Sequence, residues 1–212
     1  IDKAVEGGIQ VVTLYGESSV PTNRLVFIGQ DNYEAGEMIG EEINNVVGDV
    51  EGAKFATITA YFASENLEIK RTTAANYLTE RGYIDVGGYE AFDSAETTYS
   101  ITRNLLTAHP DLKAIYCVGG GPYGAAEAID EMHMTGQVFV IGHDETSENL
   151  EYIKNGQMTV LGQNPAGVSF DGCIYLYNKV VADQDPDADV IASFSAIIRP
   201  DNVEQFIADY LS

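Results

Sequence analysis

Strand-like and helix-like segments alternate along the whole chain, and this alternation constrains the fold more than any other feature. Short β-branched runs such as residues 138–141 predict strands, and stretches with apolar residues three to four apart, such as 32–47, predict helices. Strands joined by long helices imply parallel βαβ units, so the predicted fold class is α/β with parallel sheets. Strands are predicted at 9–14, 25–28, 54–59, 86–89, 114–118, 138–141, 159–161 and 191–198, and helices at 32–47, 67–78, 95–106, 125–134, 146–154, 165–182 and 203–211.

The loops after the predicted strands are the first places to look for a functional site. Open parallel sheets bind their ligands beyond the carboxyl ends of the strands. These loops lie at 15–17, 30–31, 60–62, 92–93, 119–124, 143–144 and 163–164. Neither a Ser-His-Asp order, nor a His-Glu-x-x-His motif, nor a paired cysteine set occurs in the chain. The chain is therefore not predicted to be an enzyme, and no metal or cofactor is expected.

The glycine run at 119–124 permits two interpretations. Gly119, Gly121 and Gly124 satisfy the dinucleotide-binding pattern G-x-G-x-x-G, and Asp144 follows at about the 20-residue distance of a ribose-binding acid. However, at least three strand–helix units precede the run, whereas a dinucleotide fingerprint usually opens its sheet. This order favours a strand-end loop whose glycines let the backbone approach a ligand or the opposing lobe. An NAD-dependent oxidoreductase using these glycines and Asp144 remains the alternative.

The composition narrows the range of partners. Eleven Lys and Arg against 33 Asp and Glu give a formal net charge of −22 over 212 residues. Such a surface repels phosphate backbones and anionic membranes, so nucleic acid is not predicted as a partner of this segment. No apolar run approaches the roughly 20 residues that span a bilayer. Cys117 and Cys173 are isolated in apolar surroundings and are predicted to be reduced.

Five segments carry a resemblance to a known family. They are the pair GIQVVTL and IGQDNYEAG at 8–14 and 28–36, the run LLTAHPDLKAIY at 105–116, VIGHDET at 140–146, and the glycines and glutamines between 156 and 165. In this order and spacing the chain resembles type I periplasmic sugar-binding proteins, whose ligand-binding fold is shared with LacI-type regulators. The resemblance implies two Rossmann-like lobes with parallel sheets, joined by a three-crossing hinge, with a small polar ligand clamped between them.

The resemblance also implies a division into domains. The expected first lobe comprises 1–29 and 164–190, the second lobe 30–163 and 191–199, and a terminal helix 200–212. The family's first lobe begins with several βα units before the equivalent of Gly8. The first lobe is therefore expected to be incomplete in this sequence.

Three residues match ligand contacts of the family. Asp144 matches an acidic contact, Gln163 a glutamine at the return crossing, and Phe92 an aromatic residue that stacks on a sugar face. A carboxylate and an amide suit adjacent sugar hydroxyls, which donate as well as accept hydrogen bonds. A structural alternative for Asp144 is to cap the helix that begins near Glu145. For Phe92 the alternative is packing in the core.

The chain departs from the family pattern at three other contacts. Tyr15 and Gly16 replace an Asp-Arg pair, and the arginine expected on the helix after Asn66 is replaced, with Ile69 in register and Arg71 a turn further. Gly119 or Gly120 replaces an asparagine. These losses predict a pocket with more aromatic and fewer hydrogen-bonding groups than a typical sugar site. The candidate ligand contacts are Tyr15, Phe62, Asn66, Phe92, Gly119, Gly120, Asp144 and Gln163.

The resemblance predicts binding of a small polar ligand, expected to be a carbohydrate, through hinge closure. It favours the solute-binding component of an ABC importer, with the permease as partner and an extracytoplasmic location. The alternatives are the effector domain of a LacI-type regulator, which would be cytoplasmic, and an extracellular sensor with a signalling partner. What precedes this segment would distinguish them, since a helix-turn-helix would indicate the regulator and a secretion signal with a lipidated cysteine the importer component.

Overall fold

The computed structural model describes residues 1–18, 20–48, 50–119, 121–193 and 195–210. Between residues 26 and 182 strands and helices alternate, as the sequence pattern predicts. The helices are α1 (Asp2–Glu6), α2 (Asn32–Val47), α3 (Glu65–Thr79), α4 (Ala95–Ala108), α5 (Tyr123–Glu131), α6 (Ser147–Lys154), α7 (Pro165–Ala182) and α8 (Val203–Tyr210). The strands are β1 (Val12–Leu14), β2 (Val26–Gly29), β3 (Lys54–Thr59), β4 (Ile84–Glu90), β5 (Leu112–Val118), β6 (Phe139–His143), β7 (Thr159–Gly162), β8 (Val190–Ala192) and β9 (Ala196–Ile198).

The chain divides into two compact units. Unit 1 comprises Ile1–Asp31 and Gln163–Ser195, and unit 2 comprises Asn32–Gly162 and Ala196–Ser212. The single strand predicted at 191–198 is two short strands in the structure, because β8 pairs with β2 in unit 1 whereas β9 pairs with β7 in unit 2. Residues 191–195 therefore lie in unit 1, and not in the second lobe to which the sequence interpretation assigned them. The terminal helix α8 belongs to unit 2.

Unit 2 is built on a six-stranded sheet of order β4-β3-β5-β6-β7-β9. All its pairings are parallel except that of β9 with β7, which is antiparallel and lies at the edge. The strands β3, β5, β6 and β7 are almost wholly buried, as expected for a parallel sheet covered by helices. The apolar face of α2 packs on this sheet through Ile39 and Ile43, beside Phe55, Leu78 and Tyr116. This packing fixes the ends of four parallel strands at one edge.

Unit 1 contains a smaller sheet of order β1-β2-β8, in which both pairings are parallel. Its buried cluster joins Val26 and Ile28 of β2 to Val168 of α7. Asn164 caps α7, because its side-chain oxygen accepts a hydrogen bond from the Gly167 amide at 3.1 Å. None of the described helices combines the length and apolarity that crossing a bilayer requires.

An ion pair attaches the C-terminal segment to α2 within unit 2. Arg199 donates from Nε to Glu42 Oε1 at 2.6 Å and from Nη2 to the second oxygen of the same carboxylate. The Glu42 side chain is only 3% exposed, whereas that of Arg199 is 40% exposed. The hydrogen bond to Glu42 raises the pKa of Arg199, so the guanidinium stays charged. The pair offsets the cost of burying the carboxylate.

Replacing Arg199 with alanine is expected to destabilise the protein strongly. The substitution would leave the buried Glu42 carboxylate without its counter-ion, a loss of about 3 kcal/mol in the free energy of unfolding. Urea denaturation measures this loss through the shift of the midpoint. The matched control is Lys154→Ala, whose ion pair with Glu204 is largely exposed and worth at most about 1 kcal/mol. Equal losses in the two variants would contradict the assignment.

Candidate functional site

A pocket of about 300 Å³ lies at the carboxyl edge of the unit 2 sheet. The loops after β4, β5 and β6 form it together with the first turns of α4, α5 and α6. It is lined by Asp93, Ala95, Gly119, Gly121, Pro122, Tyr123, His143, Asp144, Thr146, Glu148 and Asn149. This is the edge at which parallel sheets bind their ligands. We call this cavity the carboxyl-edge pocket.

A second cavity of about 730 Å³ lies at the opposite edge of the same sheet. Its lining includes Lys113, Phe139 and Thr159, which are at the amino-terminal ends of β5, β6 and β7. Although it is larger, it contains none of the strand-end loop residues that the sequence predicts to bind ligand. The carboxyl-edge pocket is therefore the candidate functional site.

Asp144 is placed in the pocket by the loop between β6 and α6. Its φ of 71° lies in the left-handed region, which aspartate tolerates better than most residues. The side-chain amide of Asn149 donates to the backbone oxygens of Asp144 and His143, at 2.9 and 3.1 Å, and holds this turn in place. The N-cap of α6 is Thr146, whose hydroxyl oxygen accepts a hydrogen bond from the backbone N–H of Asn149 at 3.3 Å. The capping role considered for Asp144 is therefore wrong.

A buried polar cluster lies at the end of β6, on the residue that precedes Asp144. The Tyr116 hydroxyl and His143 Nε2 are 2.8 Å apart, and both side chains are buried. Burial lowers the pKa of His143 well below the usual histidine range, and the Lys70 ammonium lowers it further. Desolvation likewise raises the pKa of Tyr116. The imidazole is consequently neutral at pH 7.

His143 is expected to make the folded state sensitive to acid. The unfolded chain binds a proton at this histidine below about pH 6.5, whereas the folded state does not, so stability falls as the pH drops below that value. The slope contributed by this one group is at most about 1.4 kcal/mol per pH unit. We expect His143→Gln to flatten the fall in unfolding free energy between pH 7 and 5.

The matched control for this acid sensitivity is the exposed His133. His133→Asn should leave the slope unchanged, because the slope is attributed to the burial of His143 and the His133 side chain is exposed. Asparagine also accepts the positive φ of 56° at this position. An unchanged slope in His143→Gln would contradict the neutral, buried assignment.

Lys70 is the cationic residue of α3 that the sequence interpretation missed. The side chain is only 6% exposed, and its charge acts on Asp144 and His143. Burial lowers the pKa of Lys70, and the Asp144 carboxylate opposes that effect. The sequence interpretation considered Arg71 instead of Lys70. The Arg71 guanidinium pairs with Glu68 at 2.7 Å and lies 5.5 Å from the ring centroid of Phe62. Lys70 and Arg71 are adjacent in the sequence, so their side chains leave α3 in different directions.

The remaining unit 2 candidates lie outside the carboxyl-edge pocket as far as the described residues show. The exposed rings of Tyr61 and Phe92 meet edge to face with centroids 6.2 Å apart, so Phe92 is not a core residue. Phe62 is also exposed and has Arg71 over its ring. The half-buried Asn66 accepts a hydrogen bond from Ser64 at 2.5 Å within the first turn of α3. The ligand-binding roles of Phe62, Asn66 and Phe92 stay predictions.

Two candidates meet in unit 1. The Tyr15 hydroxyl donates to the backbone oxygen of Gln163 at 3.3 Å, and Tyr15 itself has a positive φ of 59°. Both residues directly follow strands of their sheets, as the sequence predicts. Contact of these side chains with a ligand stays a prediction.

The glycine run serves packing within unit 2. A Cβ on Gly121 would lie 2.6 Å from the Cβ of Ala95, and one on Gly124 would lie 2.2 Å from the Ala95 oxygen. The run therefore allows the start of α5 to contact the first residue of α4. Gly121 also lines the carboxyl-edge pocket, and the expectation that the run lets the backbone approach a ligand or the opposing lobe stays a prediction. Gly119 lines the pocket, where its Cβ position would be 3.7 Å from Asp93 Oδ1, and Gly120 lies outside the described residues.

Asp93 is a pocket residue that the sequence placed in a candidate strand-end loop but not among the ligand contacts. It follows β4 and has a positive φ of 58°, directly after Phe92 at 53°. Two consecutive left-handed residues turn the chain sharply between the end of β4 and the start of α4, and such strained turns are concentrated at functional sites. Its position after a strand was the available signal.

Comparison with known proteins agrees with this arrangement. A family model described as periplasmic binding protein domain matches residues 1–184. The D-allose-binding periplasmic protein of Escherichia coli is 27% identical over 168 residues, which cover 78% of this chain and 52% of that protein. The D-ribose/D-allose-binding protein of Pseudomonas aeruginosa is 23% identical over 207 residues, which cover 88% and 60%. The chain thus spans 52% to 60% of the length of these relatives.

A solved structure shows the same fold. The crystal structure of a periplasmic ribose ABC transporter protein from Conexibacter woesei superimposes with a TM-score of 0.87 at 23% identity, covering 97% of this chain and 70% of that one. The predicted α/β class and the family resemblance are both confirmed. The relatives are named as binding proteins and not as enzymes. Because the family model matches well over half of its residues, this chain belongs to the periplasmic binding protein domain family.

Proposed function

We propose that this chain forms the ligand-binding part of a solute-binding protein that captures a sugar for an ABC importer. The observation that carries the proposal is the carboxyl-edge pocket, in which Asp93 and Asp144 stand beside the Asn149 amide. Carboxylates and amides are suited to the hydroxyls of a sugar, which both donate and accept. A volume of about 300 Å³ is at the lower end of the range for ligand pockets, which favours a small molecule.

The names of the relatives support the choice of ligand class. One is described as binding D-allose and the other as binding D-ribose or D-allose. By extension we propose a non-enzymatic protein that acts outside the cytoplasm, closes its lobes on the ligand and delivers it to a permease. Effector binding by a LacI-type regulator and ligand sensing are alternatives that share the pocket. The dinucleotide alternative gains no support from the relatives, which are named as binding sugars.

Isothermal titration calorimetry of the chain with D-allose, D-ribose and NAD tests the proposal. We expect saturable binding of at least one sugar and none of NAD. Binding raises the melting temperature, since a ligand that binds only the folded state adds about 2.7 kcal/mol at 100 times its Kd. Binding of NAD without binding of any sugar or polyol would overturn the proposal.

A further inference from the structure

The carboxyl-edge pocket has an excess of acidic groups. Three carboxylates line it, those of Asp93, Asp144 and Glu148, and no lysine or arginine is among the described lining residues. Ionised carboxylates only accept hydrogen bonds, whereas a neutral sugar hydroxyl both donates and accepts. The pocket therefore presents an excess of hydrogen-bond acceptors, which suits a neutral sugar less well than a ligand that is rich in donors.

The side chain of Asn149 provides a second, independent indication of the kind of ligand that the pocket binds. The side chain is only 1% exposed, and its Nδ2 donates to two backbone oxygens, so the amide orientation is set by partners that can only accept. Its Oδ1 receives no hydrogen bond within the part of the chain that the structure describes. A buried acceptor left without a donor at the wall of a binding pocket indicates a ligand that brings donors.

Aromatic rings adjoin the acidic wall. The exposed Phe92 directly precedes Asp93, and the Tyr61 hydroxyl donates to the Phe92 oxygen at 3.4 Å. The faces of such rings attract organic cations. The Lys70 ammonium acts on Asp144, and it is buried and lies outside the pocket lining. Lys70 offsets part of the negative charge of the three lining carboxylates.

We propose that the preferred ligand is an amino sugar, a sugar-like molecule with a protonated amine held by these carboxylates. The inference rests on the proposed sugar-binding function and specifies its ligand class. A metal ion is a poorer match for the negative charge of these carboxylates, because no group of three or more His, Cys, Asp or Glu side chains among the described residues is arranged to hold one. An ammonium supplies three donors and a full positive charge to a lining of acceptors.

Isothermal titration calorimetry of the full chain with D-glucosamine, N-acetyl-D-glucosamine and D-glucose tests the inference. We expect glucosamine to bind at least about tenfold more tightly than glucose, a difference of about 1.4 kcal/mol. N-acetylglucosamine should lose the advantage, because acetylation removes the charge and retains the sugar ring. Raising the salt concentration should weaken glucosamine binding and leave glucose binding unchanged.

A pair of variants on α6 localises the effect. Glu148→Gln removes a lining carboxylate and is expected to reduce the preference for glucosamine at least threefold. Glu151→Gln removes an exposed carboxylate three residues further along the helix, outside the lining, and should leave the preference unchanged. Melting temperatures of both variants without ligand establish that they are folded.

The outcomes separate the inference from the function on which it rests. Glucose binding as tight as glucosamine binding, or an equal effect of the two variants, would overturn the amino-sugar inference and leave sugar binding standing. If no sugar binds, including D-allose and D-ribose, both the inference and the proposed function fail.

Discussion

Asp144→Asn is expected to weaken sugar binding ten- to a hundredfold while leaving the fold intact. A hydrogen bond to a charged group contributes about 1.5–3 kcal/mol, and the amide replaces a pure acceptor with a group that is half donor. Asparagine keeps the size of the side chain and adopts the left-handed backbone at φ 71° with little strain. The melting temperature without ligand should therefore change little. The increase in melting temperature on adding sugar should largely disappear.

The matched control is Asp183→Asn. Asp183 is also an acid in the left-handed region, at φ 50°, and it ends α7 in unit 1 without lining the carboxyl-edge pocket. The substitution removes one charge from the same backbone geometry, so ligand-induced stabilisation should persist. Calorimetry of both variants with the tightest-binding sugar gives the comparison. Unchanged affinity in Asp144→Asn would remove this residue from the site.

Gly121→Ala is expected to cause a large loss of stability. The new Cβ would be 2.6 Å from the Ala95 Cβ and 2.9 Å from its Cα, so the start of α4 or the loop must move. Overpacking of this kind costs about 1–3 kcal/mol, and the positive φ of 62° adds about 1–2 kcal/mol for a residue with a side chain. Urea denaturation should show a lower midpoint with an unchanged slope.

Gly136→Ala separates the cost of overpacking from the cost of the positive φ. Gly136 has a positive φ of 78°, and nothing lies within 4 Å of its Cβ position. This variant should therefore lose only the conformational part, about 1–2 kcal/mol. If both variants lose the same stability, the contact with Ala95 does not constrain the glycine run.

Local periodicity in the sequence was sufficient to predict most elements. The helix at 32–47 and the strand at 54–59 were predicted with the bounds that the structure has, as was the helix at 165–182. Apolar spacing reports which side of a segment is buried, and that is a local property. The single strand predicted at 191–198 was wrong, because strand pairing is not a local property. Its two halves pair with β2 and β7, and strand partners are chosen by contacts between residues far apart in the chain.

The site was predicted in part. The rule that ligands bind at the carboxyl ends of parallel strands identified Asp144 and Gly119 as pocket residues. It could not distinguish Lys70 from Arg71, because one residue of helical register decides which side chain turns toward β6 and which pairs with Glu68. Asp93 was not predicted as a ligand contact and Asn149 was missed, because their positions depend on how the loops after β4 and β6 turn.

The sequence by itself determined the α/β alternation and the edge of the sheet where a ligand is expected, because these depend on local burial patterns and on general rules of parallel sheets. The family followed from the resemblance of several segments to known proteins. Only the tertiary structure decided what the glycine run does. Its pattern matches a phosphate-binding loop, and in the structure Gly121 and Gly124 let the start of α5 contact Ala95, which is 26 positions before Gly121 in the sequence. Close contact between distant segments is a property of packing, and no local pattern of residues encodes it.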